Sequence, residues 1–356
     1  MISLDELATR ANLDAPTTDT VLSFAASTSE EEIARDLAVL RAGRPIEERA
    51  PLWNLLLALR QIEEADARHA ERGIERDVSD ATWRDIGLWA TTSRERMGFV
   101  GITSEILAWS QAYLRGNVIR VGAVQWDFVT SYASAWGLRH RETSEVRWAI
   151  APGTWLSYGG RHRCAEGAPG ARRAEGEVMG DVVRAHPIDV RRAAVDFGEL
   201  VTFDRSVWET FVDPSSPMME MHIPADAPLD MNQFVASARR AEKIFALRDA
   251  RKPAGFFGDA WLLDPQVPEM LPNNFAVAAF QSMVSLLPGG IPEAKTIRRF
   301  FGADATRASI AALAPGKMSS LQRAIVAFLS NGDKMLCAAC GVLSQADVEA
   351  IERALA

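Results

Sequence analysis

Apolar and polar side chains alternate through Met218–Ile223, which puts Met219, Met221 and Ile223 on one face and Glu220 and His222 on the other. This pattern predicts a strand, and Pro224 and Pro228 stop it. Asp230 then stands as a helix cap with Gln233 three residues on, and Phe234, Ala238, Ala241 and Phe245 recur at helical spacing. Strand, polar turn and helix N-terminus together offer free backbone N–H groups to an anion. A second unit follows. Ala254–Pro265 reads as a mostly buried strand and Phe275–Leu287 as a helical stretch. Strand, helix, strand, helix in that order predicts two adjacent parallel strands joined by a right-handed crossover.

The pattern before residue 117 is different. Ser29 with Glu32 predicts a capped helix to Arg41, with Gly43 just past its end. Pro51 opens a leucine-rich helix over Leu52–Ala70, Ser79 is the expected cap of a helix over Ala81–Arg96, and Thr103 caps Ser104–Arg115 before Gly116. After Gly116 the chain turns β-rich. Residues 117–129 predict a first strand, 146–160 one or two more, and 161–180 an exposed loop or separate hairpin. The last third is mixed, with 296–302 strand-like, Ser320–Leu329 helical, a short strand in 334–343 and a final helix over Ala346–Leu355. The fold class expected is α/β in the broad α+β sense: a helical domain over 1–116, then a mixed twisted sheet flanked by helices over 117–356.

Composition narrows the function. The 356 residues are 48% apolar and 24% charged, enough for a full core. A net charge of −8 argues against a general binder of nucleic acid or anionic membrane. No apolar run approaches the roughly 20 residues that span a bilayer. The acidic start, MISLDELATR, is unlike a signal peptide, and three cysteines fit a reducing cytoplasm better than a disulfide framework.

Several stretches, in order, carry a resemblance. MHIPADAPLD (221–230) with its helix, AWLLDPQVPEMLP (260–272), AAFQSMVSLLP (278–288), WRDIGLWA (83–90), VIRVGAVQWDF (118–128) and SLQRAIVAFLSNG (320–332) resemble segments of the acyltransferases that join a helical N-terminal domain to a GNAT-like C-terminal domain. The resemblance implies a V-shaped opening between two parallel strands, 218–223 and 254–263, where an acyl-coenzyme A arm would lie. Ala225–Asp230 would then take the place of the pyrophosphate loop. The implied cofactor-lining set is Ile223, Pro224, Ala225, Asp226, Ala227, Leu229, Met231, Asn232 and Trp261. The implied reaction moves an acyl group from an acyl-coenzyme A thioester to an amine or hydroxyl of a small-molecule or peptide acceptor. Two alternatives stay open: an acyl-carrier protein as donor, and a binding or regulatory protein that has lost catalysis. The chain departs from the pattern at Ala227, where the family tends to have Gly, and at Phe275-Ala276, where Ser-Asn is expected. All three tyrosines (Tyr113, Tyr132, Tyr158) precede the motif region, so no tyrosine after the second strand can protonate a leaving thiolate.

Glu220 and His222 are the catalytic candidates. They stand two apart on one strand face, roughly 6–7 Å along the chain, and either can take a proton from an amine nucleophile. The competing reading is a solvent-facing Glu220 and a structural His222. Arg239, Arg240 and Lys243 would add positive charge beyond the turn, whereas Asp226 and Asp230 would repel phosphate. Asp259 needs a partner if buried, Asp264 is expected to cap a turn, and Trp261 is as well explained by the core. Cys337 and Cys340 form a single C-x-x-C, two ligands short of a zinc site, so no metal is expected.

Overall fold

The computed structural model describes residues 2–129, 134–249, 252–302, 304–332 and 334–355. It divides into two compact units: one of 1–128, 222–228 and 236–251, the other of 129–221, 229–235 and 252–356. Each is described by itself.

In the first unit the helices are α1 (Leu4–Arg10), α2 (Ala15–Ala26), α3 (Glu30–Arg41), α4 (Pro51–Arg60), α5 (Ile62–Glu71), α6 (Arg76–Thr92) and α7 (Ser104–Leu114). Ser29 and Thr103 cap α3 and α7 as expected. Helix α4 is buried on nearly every face, with Leu55, Leu56, Leu57 and Leu59 fully buried beside Asn54, so it forms the axis on which the other helices pack. The expected single helix over Leu52–Ala70 is two. It breaks at Gln61, whose side-chain amide donates to the Leu57 carbonyl at 2.9 Å and competes with the helix ladder. Ser79 is not a cap. Helix α6 starts three residues earlier, and the Ser79 hydroxyl lies 2.9 Å from Nδ1 of the buried His69. The helical series ends in a π-helical turn, Ser93–Met97, and α7. The expected first strand is a hairpin of β1 (Ile119–Val121) and β2 (Val124–Val129), paired Val121↔Val124 around Gly122.

The second unit opens with antiparallel strands. These are β3 (Ala135–His140), β4 (Val146–Ile150), β5 (Trp155–Ser157), β6 (His162–Arg163), β7 (Arg172–Arg173), β8 (Gly176–Met179), β9 (Val182–Ala185), β10 (Ile188–Asp189), β11 (Ala194–Val195), β12 (Val201–Asp204) and β13 (Trp208–Val212). They form small sheets ordered β13-β3-β4, β12-β9-β8 and β6-β5-β7. The 161–180 stretch does carry a hairpin strand, β8 pairing with β9, but buried His162 and Ala174 pin it at two points.

Next come β14 (Met218–His222), α8 (Met231–Asp249), β15 (Gly255–Ala260), α9 (Val267–Met270), α10 (Phe275–Ser282), β16 (Ser285–Pro288), α11 (Glu293–Phe301), α12 (Arg307–Ala311), α13 (Ser320–Leu329), β17 (Ala339–Ser344) and α14 (Gln345–Leu355). Strands β14, β15, β17 and β16 lie side by side in that order. Strand β14 runs parallel to β15, and β17 is antiparallel to both β15 and β16. Two expectations are corrected. The predicted helix ends at Ser282, and residues 285–287 belong instead to β16, because a short apolar run does not separate helix from strand by periodicity. Residues 296–301 are helical, since Thr296 and Ile297 are buried and Phe300 and Phe301 join them one turn on. Among the described residues no helix is long and apolar enough to cross a membrane.

Candidate functional site

Within the second unit the parallel register runs Met218↔Gly255, Met219↔Phe256 and Glu220↔Phe257. It stops there, whereas β15 continues against β17 as far as Ala260↔Ala339. The two parallel strands are therefore paired at their N-terminal ends and part at their C-terminal ends. Gly258 sits at the parting point. A Cβ there would lie 2.7 Å from the Met221 carbonyl oxygen and 2.6 Å from its Cγ, so only glycine permits this approach. Buried Met218 and Met219 anchor β14, and Glu220 is half-buried.

In the first unit, His222 ends β14 and is half-buried, its imidazole edge-on to the Trp109 indole with centroids 4.9 Å apart. Trp109 is itself held by a hydrogen bond from its Nε1 to the Tyr113 hydroxyl. The turn that follows is fixed by charge. The Asp226 carboxylate accepts two bonds of 3.0 Å from Nη2 of Arg120 on β1. Nη1 of the same guanidinium donates to Oδ1 of Asp85 on α6 at 2.9 Å, and the Gln125 amide donates to the other Asp85 oxygen. Asp85 is 1% exposed, and this burial pushes its carboxyl up to about 6 against the pull of Arg120 and Gln125, with Asp226 adding to the rise.

The expected cofactor-lining residues fall as follows. Pro224 is buried, Ile223 and Ala227 are half-buried, and Ala225 and Asp226 are exposed. In the second unit Asn232 is exposed, Met231 is buried and Leu229 packs on an apolar cluster with Val267, Val277 and Ile325. Trp261 packs in that cluster too, edge-on to Phe300 with centroids 5.0 Å apart. Asp230 caps α8, accepting from the Gln233 amide at 2.9 Å. The cations expected to help hold phosphate are mostly engaged: Arg240 with Glu75 and Asp77, Arg239 with Glu242. Lys243 is exposed.

Asp259 has the partner it needs, accepting from Arg163 and from the Gly290 amide, each at 2.9 Å. Fully buried Asp264 caps as expected, accepting from the Gln266 amide at 2.9 Å, and also binds Arg161 at 2.7 Å. Burial pushes the Cys337 thiol up to about 12 and holds Cys340 well above its ordinary range, so neither is a ready thiolate. Among the described residues no cluster of metal-ligating side chains occurs. Tyr132 lies outside the described residues.

Sequence reasoning missed Arg120 and Asp85. The signal was an arginine inside the apolar run NVIRVGAVQWDF, where a charge needs a partner. That partner, Asp226, is 106 residues away.

A helical N-terminal series, a parallel strand pair opening at its C-terminal ends, and a titratable residue on that strand end define the GNAT-like class. Residues 118–343 match the model of the GNAT-like C-terminal domain, and 4–116 that of the N-acyltransferase N-terminal domain. The chain belongs to this family of acyltransferases. No curated protein matches it. Among solved structures, an acyltransferase mutant in complex with octanoyl-CoA is similar at 16% identity and a TM-score of 0.58, covering 95% of this chain and 86% of its own. An acyltransferase in complex with decanoyl-CoA and teicoplanin is similar at 17% identity and 0.57, with the same coverage. Likeness at that identity speaks for the fold.

Proposed function

We propose that the chain transfers an acyl group from an acyl-coenzyme A thioester to an amine or hydroxyl. The observation that carries this is the opening of the parallel pair after Glu220↔Phe257, inside the region that matches the family. The pantetheine arm enters where β14 and β15 part, and its carbonyl takes hydrogen bonds from strand amides that have left the ladder. The first residues of α8 receive the diphosphate. His222 is the proposed base, with Glu220 on the same strand face as its reserve. Residues 1–116 are the proposed helical domain and 117–356 the transferase domain. The similar structures carry octanoyl or decanoyl thioesters, which supports a medium-chain donor. A small molecule is the proposed acceptor, since one of them holds teicoplanin. Three free thiols support a reducing cytoplasm.

Departures at Ala227 and Phe275-Ala276 favour a binding or regulatory protein that has lost catalysis, and a third reading, an acyl-carrier protein as donor, would also accommodate them. Calorimetry with coenzyme A, octanoyl-coenzyme A and a phosphopantetheinyl protein separates these readings. Binding of neither thioester form would refute acyl transfer. His222→Gln is expected to lower turnover roughly 10²- to 10⁴-fold with thioester affinity unchanged. A stable, fully active variant would end the assignment of the base.

A further inference from the structure

The second unit holds a cleft of about 800 Å³, a volume suited to a small molecule. Trp155, Pro214 and Pro292 give it apolar walls, and His162, Arg163 and Cys164 line it alongside them. One wall is tied to the sheet. Arg163 donates to Asp259 at 2.9 Å and to the Pro288 carbonyl at 3.0 Å. Asp259 lies two residues beyond Phe257, the last residue of β15 in register with β14. The cleft thus adjoins the strand end where open sheets place their reactants.

Two side chains at or beside the cleft carry a group left unmet among the described residues. Gly153 lines the cleft at a φ of +89°, and a Cβ there would lie 3.4 Å from Nη2 of Arg173, so the guanidinium stands beside this cleft residue. Arg173 is exposed, and among the described residues its guanidinium, unlike its backbone on β7, makes no hydrogen bond or ion pair. His162 is 6% exposed, and its buried Nδ1 has no hydrogen-bond partner. Burial lowers the basicity of this ring, the Gly289 carbonyl opposing, so it is a neutral hydrogen-bonding group near pH 7. An unmet polar atom in a cavity wall is costly, and such atoms persist where a ligand or water completes them.

We propose that this cleft seats the acyl acceptor, and that the acceptor is an amine or alcohol bearing a carboxylate, with Arg173 binding the carboxylate. The proposal rests on the acyl-transfer reading. A guanidinium favours a carboxylate through a two-pronged, charge-assisted bond. It would also receive a coenzyme A phosphate, and the test separates the two.

Cys164 is the reporter. It lines the cleft and is half-buried, whereas Cys337 and Cys340 are buried and serve as internal controls. Its alkylation by iodoacetamide is followed by mass spectrometry with octanoyl-coenzyme A present, against α-amino acids and their methyl esters. At equal concentration at least one acid should slow labelling roughly tenfold more than its ester. Arg173→Gln should erase that difference, and Arg173→Lys should keep part of it. The proposal is overturned if no acid protects, if acids and esters protect alike, if coenzyme A alone protects as well, or if Arg173→Gln changes nothing. Failure of octanoyl-coenzyme A to bind by calorimetry would instead sink the donor reading, and protection by the acids would still stand.

Discussion

Replacing Arg120 by Met removes the guanidinium that holds both Asp85 and Asp226. Asp85 is 1% exposed, so the variant leaves a buried carboxylate with only the Gln125 amide. Breaking one partner out of such a pair costs about 3–5 kcal/mol. The exposed arm to Asp226, 50% exposed, adds at most about 1 kcal/mol. The cost depends on pH, and its sign follows from Asp85. Its folded pKa, about 6, lies above the ordinary 3.8, so the folded state takes up this proton first. Its contribution to stability is therefore greatest below about pH 4 and is lost as pH rises toward 6. Without Arg120 the carboxyl is pushed higher still, because the guanidinium is the strongest influence lowering it. The window of loss then extends above 6, at up to about 1.4 kcal/mol per pH unit. Urea unfolding followed by tryptophan fluorescence at pH 5.0, 6.5 and 8.0 should give a variant penalty that grows with pH. It should be about 4 kcal/mol near pH 8 and roughly half that at pH 5. Asp85→Asn in the same background should flatten the dependence. A penalty that is constant, or largest at pH 5, would refute the account of a buried carboxylate held by one arginine.

Gly258→Ala should destabilise the chain by about 1–3 kcal/mol and weaken octanoyl-coenzyme A binding together with it, because the added carbon meets Met221 at the parting of β14 and β15; a variant with wild-type melting and affinity would remove Gly258 from the argument. His69 donates from Nε2 to the Tyr113 carbonyl at 3.1 Å, and burial pushes its pKa down to about 4 from 6.5. Its contribution is whole above pH 6.5 and is lost as pH falls toward 4, about 3 kcal/mol in all. Subtracting the pH–stability curve of His69→Gln from that of the wild type should isolate this loss, and a flat difference would contradict it.

How much was legible can be argued from single positions. The cap at Ser29, the strand at Met218 and the stripe Phe234–Phe245 were readable because each is a local pattern whose physics closes within a few residues. Residues 296–301 were misread because two β-branched residues and two phenylalanines look like a strand until the burial spacing is known. Gln61 broke a helix that its leucines would have carried on, through one side-chain bond to Leu57. The parallel pair is legible from element order, but its opening follows only from the resemblance, since register is a property of two strands. The anchors of the site were the least legible. Arg120 meets Asp226 across 106 residues, and Arg173 meets Gly153 only because β7 pairs with β5.

Asp226 shows why a local reading of charge misled. By sequence alone it is a carboxylate on a turn meant for phosphate, and it counts against the anion site. In the structure both its oxygens face the Arg120 guanidinium, which is shared with buried Asp85. The carboxylate becomes a strut that fixes the turn. The remaining acid, Asp230, is likewise committed, to the Gln233 amide. That bond uses one donor of the first turn of α8 and leaves the amides of Met231 and Asn232 outside the cap. A turn fixed in advance by an ion pair gives up little conformational entropy on binding, and a first helical turn with amides to spare still attracts an anion. Asp226→Asn is then expected to loosen the turn and weaken thioester binding, the reverse of what removing a repulsive charge would do.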